Sequence, residues 1–237
     1  MDFIELTDQI IRFLIIGFLF FCGVYTMYLG RKEKDVTNKK NFNLSFAMFF
    51  FLLAINYLWT EVDIFISSRT SMSAYPMILP TEEYSVWGLF NPQNSDPYMF
   101  FLFLLAIVPM LYALEKFVLN RERVWSTILG TIGIALLGAA FIFNEILFLL
   151  DLAIAYGFLM LVLLSLRVII IYLTFASQVT GEIRRLGLFI GFGFMIILLG
   201  VIGTSLEDLF GTFSEIIGHS INLLGMILIF MGVLKMK

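Results

Sequence analysis

The sequence predicts an all-α membrane protein: a bundle of seven transmembrane helices, with the N-terminus outside and the C-terminus cytoplasmic. Three observations predict it. First, 60% of the 237 residues are apolar and only 14% charged, with a mean hydropathy of +0.97; soluble domains run at about 45–50% apolar and about 25% charged. Second, the apolar runs continue for about 20 residues, enough helix to cross a hydrocarbon core about 30 Å thick. They lack the period-two alternation of barrel strands, and backbone polar groups in lipid must be paired internally, so helices remain. Third, the basic residues segregate by connection, as set out below.

In chain order, the first helix is expected over residues 8–29, ended by Gly30 and the charge run Arg31, Lys32, Glu33, Lys34, Asp35. The acidic start (Asp2, Glu5, Asp8) lacks the basic residues of a cleaved signal, so this segment is kept as a structural helix. A second helix over 41–67 is aromatic at first and turns polar at its far end. Residues 68–97 hold Pro76, Pro80, Pro92 and Pro97 and form the one long connection, an outer loop of the kind that serves as a lid or binding segment. Asp96 and Pro97 supply favoured entry chemistry for a third helix over 97–117, with Pro109 inside it as a kink site. Helices over 124–143, 147–176 and 186–205 follow, and the last covers 212–234.

Charge supports that count. On the side of the first connection lie twelve basic residues and five acids, Glu115 and Glu182 among them; on the other side lie Arg12 and Arg69 against thirteen acids. Lys and Arg accumulate on the cytoplasmic side. The expected setting is therefore a multi-pass protein of the cell membrane.

The last helix organises the rest. Gly211, Gly218, Gly225 and Gly232 recur every seven residues, a repeat that drifts only about 20° per step and keeps a bare face along the helix. In lipid such a face invites close helix packing; Gly187 and Gly191 offer a second, at a spacing of four.

Polar residues inside spans usually face a bundle interior or cavity. Asn56, Thr60 and Asp63 share one face of the second helix, and Glu215, His219 and Asn222 one face of the last. Together they are the expected ligand-binding residues of an outer polar pocket, with interhelical hydrogen bonding as the other reading. Arg167 is the one basic residue deep in a span, about 13 Å from its inner end, either paired or snorkelling. A single histidine and the single Cys22 do not make a metal or haem site. No lysine sits mid-membrane, and no phosphate loop, metalloprotease pair or nucleophile elbow is present, so neither enzyme nor cofactor is expected. Nor is a nucleic-acid partner expected of so apolar a chain.

Residues 176–200, ASQVTGEIRRLGLFIGFGFMIILLG, resemble the basic loop and sixth helix of the seven-helix N-terminal sensor regions of prokaryotic membrane histidine kinases. The shared pattern is a small-polar turn, a Gly-Glu-x-Arg-Arg-like stretch and a glycine-bearing helix. The resemblance implies a sensory module, N-terminus out. With no kinase before Lys237, a signal is expected to pass through the cytoplasmic loops to a separate membrane or cytoplasmic protein. The alternative is a structural or accessory subunit whose glycine faces meet other chains. A small transporter fits less well, because the inner half is too apolar for a polar path.

Overall fold

The computed structural model describes residues 3–32, 37–70, 97–119, 124–142, 147–204 and 212–234. Among these, all regular structure is helical: α1 (Phe3–Lys32), α2 (Thr37–Thr70), α3 (Pro97–Ala113), a π-helical turn (Leu114–Val118), α4 (Trp125–Ile142), α5 (Leu147–Gln178), α6 (Gly181–Thr204) and α7 (Thr212–Leu234). Five stretches are long and apolar enough to cross a membrane: Leu6–Lys32, Lys40–Val62, Ala155–Gln178, Gly181–Gly203 and Phe213–Leu234. The chain is a multi-pass membrane protein.

Several ends differ from those read in the sequence. α1 starts at Phe3, five residues before the expected 8, so Asp8 and Arg12, counted from sequence with the outer charges, lie more than a turn inside the helix. α6 starts at Gly181, whose positive φ of 69° lets two residues turn the chain out of α5; Glu182, Arg184 and Arg185 are therefore the exposed start of a helix, not a loop. α2 continues to Thr70, past the expected onset of the long loop, whose residues 71–96 lie outside the described ones. Pro109 sits within α3, which ends at Ala113 and widens into the π turn, closed by the Leu119 N–H donating to Leu114 O at 2.9 Å.

The chain forms two compact units: Met1–Ala47 with Val162–Lys237, and Met48–Leu161. In the first, α7 packs against both α6 and α1. The α6 and α7 backbones cross at glycines. A Cβ at Gly193 would come within 2.8 Å of Gly225 O, and one at Gly225 within 2.7 Å of Gly193 O. Further along, Gly200 lies against Asn222 and Gly218, and Gly232 against Ile190. The rising numbers on one helix meet falling numbers on the other, so the pair is antiparallel. Gly187 and Gly191 lie instead against Tyr172, Leu173 and Ala176 of α5. α1 runs parallel to α7: Asp8 is near His219, and Phe18, Phe21 and Tyr25 ring Phe230 with centroids 5.9, 5.9 and 5.8 Å away.

The register of α1 comes from one stripe at alternating spacings of four and three: Asp8, Arg12, Ile15, Leu19, Cys22, Thr26 and Leu29, all buried. Thr26 Oγ1 donates to Cys22 O at 2.6 Å, which pairs its hydroxyl inside the bundle. The opposite stripe, Phe13, Phe20, Phe21, Val24 and Tyr28, is exposed, as a lipid-facing surface requires.

In the second unit α3 and α4 pair antiparallel, with Gly133 against Leu104 and Gly138 against Phe101. α5 joins them where Gly157 meets Leu137 and Phe100, and where Tyr156 OH donates to Leu129 O at 3.2 Å. Glu115, counted from sequence among the charges on the side of the first connection, is only 1% exposed. Its carboxylate accepts from Ser126 N and Thr127 N, each at 3.3 Å, and from Thr127 Oγ1 at 3.1 Å. These are unpaired first-turn donors of α4, so the π turn places an acid where the helix dipole favours one. Glu115→Ala should lower stability by about 1–2 kcal/mol, the cost of a lost N-cap. A denaturant or thermal midpoint unchanged from the wild type would show that the cap contributes nothing.

Candidate functional site

The described residues place one ion cluster inside the first unit. Asp8 and Arg12 are one helical turn apart, and Asp8 Oδ2 accepts from Arg12 Nη2 at 3.1 Å. From α7, His219 Nε2 approaches Asp8 Oδ1 to 4.0 Å. That distance is too long for a hydrogen bond, so the contact is electrostatic only. Asp8 is 2% exposed and Arg12 9%, yet Oδ1 of Asp8 is buried and accepts no hydrogen bond from the described residues. A buried acceptor left in this state costs about 1–3 kcal/mol. Arg12 and His219 each have a further interaction besides Asp8.

The elements explain why the cluster forms here. Asp8 and Arg12 head the buried stripe of α1, and the parallel run of α7 brings its polar first turns to the same end. Farther along, the same two helices meet through the Phe230 aromatic cluster. The interface is therefore ionic at one end and aromatic at the other.

The residues singled out from sequence are distributed as follows. His219 is half-buried on Asp8, while Asn222, three residues on, is buried with its Oδ1 against Gly200 of α6. Glu215 is half-buried. The stripe on α7 is thus divided between two neighbouring helices. Asn56 is buried; Thr60 Oγ1 donates to Asn56 O at 3.1 Å, a bond within its own helix. Asn56 and Thr60 belong to the second unit, whereas Glu215, His219 and Asn222 belong to the first. The side chain of Asp63 lies outside the described residues, as does Gly211.

Gly187, Gly191, Gly218, Gly225 and Gly232 all lie against helices of this chain. Arg167 is half-buried in α5; its Nε is buried without a hydrogen-bond partner among the described residues, and the same holds for the hydroxyl of the buried Tyr172. Among the described residues no three His, Cys, Asp or Glu side chains are grouped to hold a metal, and Cys22 is buried.

Sequence reasoning passed over Asp8 and Arg12 because the helix was begun at residue 8 and both were counted with the outer charges. The signal was present: residues 8, 12, 15, 19, 22, 26 and 29 repeat at helical spacing, so the polar pair lies on the face that carries Ile15, Leu19 and Cys22. No family model matches the chain, and neither a curated protein nor a solved structure matches it.

Proposed function

We propose that the chain is a non-enzymatic sensor of the prokaryotic cell membrane. It binds a small cation or amine at the Asp8–Arg12–His219 cluster and reports the event through its cytoplasmic end to a protein partner. The observation that carries this reading is the buried Asp8 carboxylate with an unsatisfied oxygen, shared between two helices. Charges within membrane spans are costly and usually functional, and an ammonium group donating to Oδ1 would complete this one.

Such a ligand would compete with His219 for Asp8. α7 is interlocked with α6 through their glycines, so the two would shift together against α1, with the Phe230 cluster as the fixed end. The exposed Arg184 and Arg185 at the start of α6 lie at the opposite end from the ion cluster, where a partner can read the movement.

Helix direction supports the topology. Parallel α1 and α7, if both span, require an odd number of crossings between them. An odd total follows, with the termini on opposite sides. The antiparallel α3–α4 hairpin then adds two spans or none to the five long helices. At about 1.5 Å per residue, the segment from Pro97 to Val118 reaches about 33 Å and α4 about 27 Å, close to the core thickness, so we take seven. The accessory-subunit reading loses its main support, since the described glycine faces that suggested it are occupied within the chain.

The test is a thermal-shift screen of the detergent-purified chain against inorganic cations and small amines, run beside Asp8→Asn. A probe that raises the melting temperature of the wild type and has no effect on Asp8→Asn is expected. If the same probe stabilises both proteins equally, or none stabilises the wild type, the cluster is not a ligand site.

A further inference from the structure

We propose that the corner joining α1 to α2 binds the phosphate of an anionic phospholipid. Three exposed cations flank it: Arg31 and Lys32 in the last turn of α1, and Lys40 early in α2. Gly30 holds the corner tight. A Cβ there would lie 3.3 Å from Asn43 Cβ and 3.4 Å from both Leu44 Cγ and Lys40 O, so the two backbones converge and bring their cations with them. The acids Glu33 and Asp35 fall in the connection, outside the described residues; even counted with it, Arg31, Lys32, Lys34, Lys39 and Lys40 outnumber them five to two.

The orientation of the corner selects a lipid over a dissolved anion. The exposed stripe of α1 runs Phe21, Val24, Tyr28 and then Arg31, each step three or four residues. The first of these side chains face hydrocarbon, so Arg31 stands on the lipid side of the helix at the depth where headgroups begin. Tyr28, 58% exposed, lies one turn below it, the interfacial position in which a phenol keeps its ring in the acyl region and its hydroxyl among the esters. A phosphate carried on acyl chains that lie along this stripe arrives between a donor hydroxyl and three cations. Each Lys or Arg at an anionic membrane surface is worth about a fivefold preference. Exposure makes that preference salt-sensitive.

The experiment uses the whole chain in phosphatidylcholine vesicles with trace spin-labelled phosphatidylglycerol or phosphatidylcholine. The wild type should hold the anionic label in its motionally restricted shell at least about tenfold more strongly than the neutral one, with the preference shrinking as salt is raised. The triple variant Arg31→Gln, Lys32→Gln, Lys40→Gln should lose most of that preference while melting at the wild-type temperature in pure phosphatidylcholine. Arg184→Gln with Arg185→Gln should retain it. The proposal is overturned if the triple variant keeps the wild-type preference. It is equally overturned if inorganic phosphate, added at constant ionic strength, abolishes the preference, because the corner would then be a site for a free anion.

Discussion

Gly225→Leu is expected to prevent α6 and α7 from pairing, leaving little folded protein after extraction. At this position an added Cβ would lie 2.7 Å from Gly193 O, 2.7 Å from Ile197 Cγ1 and 3.0 Å from Ile197 N. Two of those atoms are backbone and cannot swing aside, so the helices must part. Overpacking a tight interior costs about 1–3 kcal/mol per insertion, with larger values where the backbone has to move. Total stabilities are about 5–15 kcal/mol, and a leucine adds three more carbons beyond the Cβ. Moving the helices apart would also break the neighbouring contacts of Gly200 with Asn222 and of Gly232 with Ile190. Gly17→Leu is the matched control: a Cβ added there, on the exposed side of α1, would meet nothing within 4 Å, so its melting temperature should stay with the wild type. Size-exclusion and thermal melts of the two variants decide the matter; a Gly225→Leu protein as stable as Gly17→Leu would mean that the glycine crossing is not needed.

The second large effect is expected at Asp8. Asp8→Ala removes the carboxylate that balances the guanidinium of Arg12, a residue 9% exposed. Breaking a buried pair from one side costs about 3–5 kcal/mol, mostly the cost of leaving the other charge uncompensated. The lower end, about 3 kcal/mol, is expected here because Arg12 has a further interaction. The double variant Asp8→Leu, Arg12→Leu should recover most of that loss, since apolar replacements of a whole buried pair are often neutral or stabilising. Recovered stability together with lost ligand response would separate a functional ion cluster from a structural one. If Asp8→Ala melts with the wild type, the pair is not carrying the α1–α7 contact.

Much of this was legible in the residues themselves. The bounds of α7 are those read from the sequence, and Gly218, Gly225 and Gly232 of its glycine repeat fall on the side where α6 approaches. Arg31 and Lys32 are exposed, as the charge run implied, although they form the last turn of α1 rather than a loop after Gly30. Two buried acids were counted with the surface charges for the same reason: a lone carboxylate carries no local mark of its burial. Asp8 is covered by α7, more than two hundred residues later in the chain, and Glu115 by a helix entry eleven residues on that exists only because a π turn aims it there.

What the sequence determined by itself was therefore residence in a membrane, the helical state and the approximate bounds of the described helices. These follow from the transfer cost of each residue and from periodicity along a single helix, both local quantities. Only the tertiary structure decided that α1 runs parallel to α7, that Gly193 and Gly225 form the crossing, that His219 meets Asp8 while Asn222 turns to Gly200, and that Gly187 and Gly191 serve α5. In lipid the hydrophobic effect no longer distinguishes one apolar partner from another, so partner choice rests on close backbone approach and on pairing the few polar groups. Those terms exist only when both helices are in place.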